Sequence, residues 1–196
     1  MGYNPKDHFF KKAKSEDYLA RSVYKLQEID EKYKVIRRSD VIVDLGASPG
    51  SWSQYCLKKL GAEGRLVGID LTEVTVIKDP RYTFFHDDIF KINWSQELQN
   101  LGIQAVDVVL SDMAPKTTGI KLTDQMRSLE LCEMALGFSE KYLRPGGKFV
   151  CKLFHGEHFK EFQISMKKHF KRVEALKPES TRKISKEIFL IGLDHV

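Results

Sequence analysis

Apolar residues follow two patterns along the chain. In seven short segments they form nearly continuous runs rich in β-branched residues, which is typical of strands buried in a parallel sheet. Between most of these segments they recur every three or four positions, which predicts amphipathic helices. The predicted strands are 41–45, 65–71, 82–86, 106–112, 148–152, 171–176 and 187–193, and the predicted helices are 15–33, 52–60, 93–98, 123–143 and 157–169.

This alternation predicts an α/β fold. We expect a seven-stranded, mostly parallel sheet with the last strand antiparallel and helices on both faces, including a helix between the second and third strands. The residues Arg144-Pro145-Gly146-Gly147 predict a turn before the fifth strand. The chain of 196 residues suffices for one domain. We place this single domain at 15–196.

Residues 1–14 are predicted to form an irregular, basic N-terminal tail. Tyr3, Phe9 and Phe10 lie among the charged residues of this segment. Two interpretations stay open for these rings: they offer stacking surfaces to RNA, or they pack on the domain.

Composition excludes several classes of protein. Hydrophobic residues make up 42% of the chain and charged residues 30%, as in soluble globular proteins. No apolar run approaches the ~20 residues that span a membrane, and residues 1–14 lack the apolar core of a secretory signal. Cys56, Cys132 and Cys151 are scattered, which indicates a reducing compartment and gives no metal-ligand spacing. We expect a cytoplasmic monomer with no membrane or metal partner.

Positive charge is concentrated towards the two ends of the chain. Residues 1–38 carry 10 Lys and Arg against 6 Asp and Glu, and residues 158–186 carry 9 against 3. Residues 39–157 carry 13 against 16, so the centre is acidic. This distribution indicates a polyanionic partner such as RNA, although basic helices also occur merely as solvated surfaces.

The first predicted strand ends in the sequence Asp44-Leu45-Gly46-Ala47-Ser48-Pro49-Gly50, directly before a helix. Gly46 and Gly50 permit backbone angles closed to other residues, and the helix N-terminus offers free amides to a ligand. The loop is neither G-x-G-x-x-G nor a phosphate loop, because no Gly-Lys-Ser/Thr follows. It resembles the cofactor loop of S-adenosylmethionine-dependent methyltransferases. That cofactor has a cationic amino-acid end, which suits Asp44; the alternative is a generic strand–helix turn.

Two further acids follow strands in positions that suit a nucleoside ligand. Asp70 ends the second strand, 20 residues after Gly50, where an acid can accept hydrogen bonds from ribose hydroxyls. Asp88 follows the third strand, and we prefer it to Asp87 as a partner for the adenine amino group. Helix capping or turn formation is the alternative for a single acid at such a position, but the position of Asp70 and the loop type together favour the ribose role.

Four charged residues are predicted to meet at one edge of the sheet. Asp112 ends the fourth strand and Lys152 ends the fifth, at the edge where open parallel sheets bind ligands. An antiparallel last strand would begin at the same edge, which places Glu187 there. The N-terminal helix could cover the cofactor side and bring in Lys25. For a generic α/β protein, four unrelated surface charges would be the better interpretation.

A family resemblance gives these residues a common purpose. The chain resembles the FtsJ (RrmJ) family of ribosomal RNA 2′-O-ribose methyltransferases from about Lys11 to Gly192. The stretches that carry the resemblance are Arg21-Ser22 through Lys25-Leu26, Asp44 to Trp52, Ser111 to Pro115, Lys152 to Glu157, and Lys177 to Arg182 through Glu187.

The resemblance implies a Rossmann-like methyltransferase fold, S-adenosyl-L-methionine as cofactor, and methylation of a large-subunit ribosomal RNA uridine, hence a role in ribosome biogenesis. It places the catalytic set on Lys25, Asp112, Lys152 and Glu187. The cofactor positions that it implies are Gly50, Trp52, Asp70, Asp88 and Asp112. Asp44 and Gly46 are added on the loop chemistry described above.

Other functions stay open from the sequence. A transfer RNA anticodon-loop 2′-O-methyltransferase of the same family is one alternative, and a non-catalytic RNA-binding member is another. A nicotinamide-dependent oxidoreductase is disfavoured by Pro49 and the missing G-x-G-x-x-G. Within the main hypothesis, Lys152 either removes the proton of the ribose hydroxyl as a neutral base or orients that hydroxyl as an ammonium ion.

Overall fold

The structure, a computed structural model, describes residues 8–196. Seven strands form one sheet in the order β3-β2-β1-β4-β5-β7-β6. The strands are β1 (Val41–Leu45), β2 (Arg65–Asp70), β3 (Tyr82–His86), β4 (Val106–Ser111), β5 (Leu143–Phe154), β6 (Phe170–Leu176) and β7 (Glu187–His195). The helices are α1 (His8–Ser15), α2 (Val23–Tyr33), α3 (Ser51–Lys59), α4 (Trp94–Asn100), α5 (Lys121–Tyr142) and α6 (Phe159–Met166).

The predicted fold class is confirmed. Strands β1 to β5 pair in parallel, and β7 pairs antiparallel with both β5 and β6. The parallel strands therefore all end at one edge of the sheet, and β7 begins there.

Two apolar cores lie on opposite faces of the sheet because successive strand side chains point to opposite faces. Val43 and Leu45 of β1 belong to a core that includes side chains of α4, α5 and α6, whereas Ile42 belongs to a core that includes side chains of α1, α2 and α3. All three side chains are inaccessible to solvent. The sheet is thus buried on both faces, which explains its almost unbroken apolar strands.

The prediction of one helix over 15–33 is wrong, because α1 ends at Ser15 and α2 begins at Val23. Asp17 has a left-handed backbone conformation (φ 57°) that breaks the helix. Gln54 of α3 holds the connection on both sides: its side chain accepts from the Leu19 amide (2.9 Å) and donates to the Asp17 carbonyl (3.1 Å). Leu19 consequently lies 40% exposed instead of on a buried helical face.

The tail predicted over residues 1–14 is helical in its described part, and Tyr3 lies outside the described residues. Ala13 of α1 is buried against the sheet-covering helices. The Phe9 ring packs 5.5 Å from the Tyr24 ring of α2, between centroids. Phe9 and Ala13 therefore dock on the domain, which stabilises a helix that the basic composition conceals, whereas Phe10 is 38% exposed and keeps its ring at the surface.

One smaller prediction also fails, and another is met in part. Residues 71–81, all of them described, contain no helix between β2 and β3; this segment holds β-branched residues and Pro80, which disfavour a helix. The turn predicted at 144–147 lies inside β5, which begins at Leu143, but these four residues bulge out of the pairing with β4: Val106 pairs with Leu143 and Val108 with Lys148, and Gly146 has φ 77°. The Arg144 guanidinium binds the carboxylate of Asp107, the β4 residue opposite the bulge.

Candidate active site

The ends of β4 and β5 and the beginning of β7 bring three predicted catalytic residues together. Ser111 is paired with Cys151, so Asp112 and Lys152, one position further on, lie beside each other. On the other side of β5, Phe154 is paired with Glu187. The sheet register therefore fixes their proximity, as the carboxyl-edge argument predicts.

The four charged residues form two ion pairs. Lys152 Nζ lies 2.8 Å from Asp112 Oδ1 and also donates to the Asp112 backbone carbonyl at 2.6 Å. Lys25 Nζ lies 2.6 Å from Glu187 Oε2. The Lys152 side chain is only 5% exposed. Both contacts of its ammonium are with Asp112, so Asp112 holds the ammonium in one position.

Opposing effects act on the Glu187 carboxyl. Burial raises its pKa, but the charges of Lys25 and then Lys152 outweigh burial, and the pKa of Glu187 lies below its usual value. The two ion pairs are thus electrostatically coupled, because Lys152 acts on Glu187 as well as on Asp112. Glu187 stays ionised at neutral pH and can accept hydrogen bonds.

Helix α2 carries Lys25 to the sheet edge, and α3 holds α2 in place. Trp52 Nε1 donates to the Ser22 carbonyl (2.9 Å), and the Ser22 and Ser51 hydroxyls are 2.9 Å apart. The Trp52 ring is buried and lies 5.8 Å from the Phe189 ring of β7, between centroids. The side chain of Trp52 therefore positions α2, the helix that carries Lys25.

A cavity of about 410 Å³ opens beside β1 and β2; we call it the cofactor cavity. Gly46, Asp70, Asp88 and Asp112 all line it. Gly46 has φ 79°, and a Cβ there would collide with the side chain of Met113. The glycine thus lets the segment after β4 close over the loop, in addition to exposing backbone to a ligand.

The acids of the cofactor cavity are held by backbone amides. The Asp70 carboxylate accepts from the Ser48 amide (3.0 Å) and the Thr72 amide (2.8 Å). Asp88 accepts from the Phe90 amide at 3.0 Å and lies 3.5 Å from Lys91 Nζ. Each carboxylate keeps lone pairs for further donors.

Asp44 lies beneath the cofactor cavity and does not line it. The side chain is 1% exposed, and its Oδ2 accepts a hydrogen bond from the Ser53 hydroxyl at 2.7 Å. Burial, reinforced by the charges of Asp112 and Asp70, raises the pKa of Asp44 to about 7. The site thus contains a carboxyl that gains and loses a proton near neutral pH.

A second cavity of about 570 Å³ lies on the other side of the ion pairs; we call it the acceptor cleft. Lys25 and Glu187 line it together with Arg21, Arg182 and the apolar side chains of Phe154 and Ile184. Ala114 lines both cavities, so they meet just after Asp112. The arrangement can hold two ligands side by side with the two ion pairs at their junction.

The structure thus gathers most, but not all, of the predicted site residues. Asp112, Lys152, Lys25 and Glu187 meet, and Gly46, Asp70 and Asp88 line the cofactor cavity. Gly50 has φ 108° at the start of α3 but, like Trp52, Asp44 and Lys152, is not among the residues that line either cavity; Lys152 reaches the cofactor cavity through its contact with Asp112. Sequence reasoning assigned no role to Arg21 and Arg182, although both lie in the stretches that carried the family resemblance.

Within the described residues 8–196, no three His, Cys, Asp or Glu side chains cluster so as to hold a metal ion. In the same part of the chain, no helix combines the length and apolar character needed to cross a membrane.

The mixed sheet with two adjoining cavities at its carboxyl edge is a Rossmann-like fold with room for two ligands, and its similarity to known proteins makes the class of protein a methyltransferase. The chain belongs to the FtsJ-like methyltransferase family, which its sequence matches over residues 18–195.

Individual relatives support this assignment. The chain is 54% identical over 194 residues to the ribosomal RNA large subunit methyltransferase E of Bdellovibrio bacteriovorus, covering 98% of each chain. It is 45% identical over 192 residues to the protein of that name from Nitratidesulfovibrio vulgaris, covering 97% of this chain and 93% of the relative. A ribosomal RNA methyltransferase structure from Plasmodium falciparum superposes with a TM-score of 0.80 at 30% identity, covering 91% of this chain and 98% of that one.

Proposed function

We propose that this protein transfers a methyl group from S-adenosylmethionine to the 2′-oxygen of a ribose, on a uridine of large-subunit ribosomal RNA. The observation that carries the proposal is the pair of ion pairs, Lys152–Asp112 and Lys25–Glu187, at the junction of the two cavities. The identity and coverage of the relatives named ribosomal RNA large subunit methyltransferase E support the choice of RNA.

The cofactor cavity fits S-adenosylmethionine in charge and size. Its lining includes Asp70, Asp87, Asp88 and Asp112 and no basic residue from the described part of the chain, which suits a ligand with a sulfonium and an ammonium group. Its volume of about 410 Å³ lies in the usual range for cofactor sites. We assign ribose contact to Asp70, adenine contact to Asp88, and the amino-acid end to the loop of Gly46 and Gly50. When bound, the cofactor supplies an activated methyl group.

The protein must position the acceptor hydroxyl and manage its proton, because the methyl donor is already activated. We assign contact with the hydroxyl to Lys152, whose ammonium is fixed on Asp112 at the end of the cofactor cavity. Lys25 and Glu187 line the acceptor side and would contact the ribose or the neighbouring backbone.

Of the two roles considered for Lys152, its contacts favour orientation of the hydroxyl. Nζ donates to a carbonyl at 2.6 Å and lies 2.8 Å from a carboxylate oxygen, so two acceptors stabilise its charged form. Glu187, which stays ionised and lines the acceptor cleft, is then assigned as the group that takes up the proton released when the hydroxyl oxygen bonds to the methyl carbon and the sulfonium carbon–sulfur bond breaks. An arginine at position 152 would keep the charge and retain part of the rate, whereas a base mechanism predicts its complete loss.

RNA binding is assigned to the basic segments of the chain, residues 1–38 and 158–186. These segments supply Arg21, Lys25, Arg182 and Lys186 to the acceptor cleft. Because one chain provides both cavities and all four catalytic residues, we propose that the protein acts as a monomer formed by the single domain 15–196 and the basic segment before it.

Mapping of 2′-O-methylated positions tests this function in the cell. Total RNA from a strain without the gene is compared with RNA from the same strain carrying the wild-type gene or Lys152→Ala. We expect one position in large-subunit ribosomal RNA to lose its methyl group and to regain it only with the wild-type gene. Loss at a transfer RNA anticodon loop would instead support the alternative substrate, and an unchanged map would refute the proposal.

A further inference from the structure

Two arginines from distant parts of the sequence lie at the same side of the acceptor cleft. Arg21 precedes α2, and Arg182 belongs to the connection between β6 and β7, which we call the 177–186 loop; both line the cleft. Burial first, and then the positive charge of Arg182, lower the pKa of Arg21. Two like charges at one cleft repel each other, so their proximity requires a structural cause.

Glu28 of α2 provides much of that cause. Its two carboxylate oxygens accept hydrogen bonds from the backbone amides of Glu179 (2.6 Å) and Ser180 (3.0 Å). The Arg21 guanidinium donates to the Ser180 carbonyl, so Glu28 of α2 and Arg21 just before α2 both bind the same peptide segment. Charge-assisted hydrogen bonds of this kind are stronger than neutral ones. Glu28 therefore fastens the 177–186 loop beside Arg21.

The rest of the loop is ordered by short-range contacts that extend this anchor to the active site. Ser180 and Thr181 are buried, and the Ser185 amide donates to the Arg182 carbonyl at 2.9 Å. The Ser185 hydroxyl in turn accepts from the Glu187 amide at 3.2 Å. The anchored segment thus leads directly into the catalytic glutamate, and Arg182 is fixed between the anchor and that residue.

We propose that Arg21 and Arg182 form a binding site for one phosphate of the acceptor RNA, and that Glu28 is the positioning residue that assembles it. The proposal rests on RNA being the acceptor. A guanidinium binds phosphate oxygens with paired, directional hydrogen bonds, and a phosphate between two guanidiniums relieves their repulsion. The site lies in the cleft that also holds Lys25 and Glu187, so a phosphate bound there fixes the neighbouring ribose next to Lys152.

The test measures equilibrium binding of a fluorescein-labelled, single-stranded RNA of mixed sequence over a series of salt concentrations. The variants are Arg182→Gln and Glu28→Gln, each with a control of the same charge change. Arg65→Gln lies at the opposite edge of the sheet, where β2 begins. Glu31→Gln lies one turn further along α2, where Glu31 accepts a hydrogen bond from Gln27 of the same helix. Thermal melting and cofactor affinity report whether each variant is folded.

For Arg182→Gln we expect RNA binding about tenfold weaker than for Arg65→Gln, the loss of one charged hydrogen-bonding partner. The slope of log affinity against log salt should become shallower by about 0.7, as for one lost phosphate contact on a single strand. An affinity and a slope equal to those of Arg65→Gln would overturn the phosphate site.

Glu28→Gln separates positioning from general electrostatics. The change removes a negative charge, so electrostatics alone predicts tighter RNA binding, as expected for Glu31→Gln. Positioning predicts the opposite, several-fold weaker binding and a raised KM for RNA with kcat nearly unchanged, because one backbone amide loses its acceptor. Tighter binding by Glu28→Gln would overturn the positioning role.

The outcome is distinguishable from failure of the proposed function. A wild-type protein that transfers no methyl group to ribosomal RNA, but whose RNA binding depends on Arg182 as described, would refute the function and leave the phosphate site standing. Normal transfer by the wild type, together with equal RNA binding by Arg182→Gln and Arg65→Gln, would support the function and refute the phosphate site.

Discussion

The cofactor cavity and the acceptor cleft adjoin each other but carry opposite charge. Asp70, Asp87, Asp88 and Asp112 line the first, whereas Arg21, Lys25, Arg182 and Lys186 line the second with Glu187 as its acid. A cationic donor and a polyanionic acceptor would therefore each find a complementary surface. One edge of a sheet can therefore carry two adjoining sites that favour ligands of opposite charge and hold them close together.

The ion pairs mark the boundary between the two surfaces. Each pair has a lysine and a carboxylate, so the junction is close to neutral and neither ligand is repelled from it. Lys152 contacts Asp112, which lines the acidic cofactor cavity, and its positive charge also lowers the pKa of Glu187, which lines the basic acceptor cleft. Changes at the junction should therefore impair transfer more than the binding of either ligand.

The largest effect is expected for Lys152→Ala. We expect the methyl-transfer rate to fall by about 10²–10³-fold, the usual cost of removing a hydrogen-bond donor that positions the reacting oxygen, with cofactor affinity nearly unchanged. The control is Lys148→Ala on the same strand, whose ammonium contacts the Lys34 and Val35 carbonyls away from the site. Single-turnover transfer from labelled cofactor to ribosomal RNA measures the rate. A near-normal rate for Lys152→Ala would exclude the assigned role.

The next effect concerns Asp44 beneath the acidic cavity. Because burial raises its pKa to about 7, from an ordinary 3.8, the folded protein binds a proton that the unfolded chain releases. This stability is complete below about pH 4 and is lost as pH rises through about 7. Relative to Asp44→Asn, the wild type should lose up to about 4 kcal/mol of unfolding free energy across this range.

Denaturant unfolding of the wild type and Asp44→Asn at each pH measures this difference. The control is Glu63→Gln, an exposed residue between α3 and β2, which should show no such trend. A difference between wild type and Asp44→Asn that stays constant from pH 4 to pH 7 would show that Asp44 is ionised throughout.

A smaller effect is expected for Asp70→Asn, which tests the acidic cavity as the donor site. Loss of the charge should weaken cofactor binding by about tenfold to a hundredfold, as for removal of a charged hydrogen-bond acceptor. RNA affinity should remain at the wild-type value, because Asp70 lies in the other cavity. Calorimetric titration with the cofactor measures the effect. If Asp70→Asn weakened RNA binding as much as cofactor binding, the assignment of the two ligands to separate cavities would be contradicted.

The smallest effect is expected from Lys186→Gln in the acceptor cleft. RNA binding should weaken a few-fold and its salt slope should fall by about 0.7. Cofactor binding by the wild type should change little with salt, since the donor carries few charges. Salt-independent RNA binding would contradict the assignment of the basic cleft to RNA.

The sequence reveals which residues reach the strand edge better than it reveals how they pair. Asp112, Lys152 and Glu187 could be placed because strand ends in a parallel sheet share an edge. The pairing of Lys25 with Glu187, 162 positions later, depends on how α2 docks. That docking rests on the Trp52–Ser22 contact, which joins two helices and leaves no periodic signal in the sequence.

The acceptor side was harder to predict for the same reason. The bonds from Glu28 to the 177–186 loop span about 150 positions and end on backbone amides, which carry no residue-type signature. The break at Asp17 and the loss of a helix over 71–81 likewise depend on local backbone conformation rather than on hydrophobic periodicity. Hydrogen bonds from side chains to a distant main chain are therefore the contacts that could not be predicted from this sequence.

The chemical position of the transferred methyl group tests the central claim most directly. Ribosomal RNA from a strain without the gene is incubated with labelled cofactor and protein, digested to nucleosides and analysed by mass spectrometry. The account predicts a single 2′-O-methylnucleoside with the wild type and none with Lys152→Ala at equal cofactor binding. A methyl group on a base, or equal product from both proteins, would contradict it.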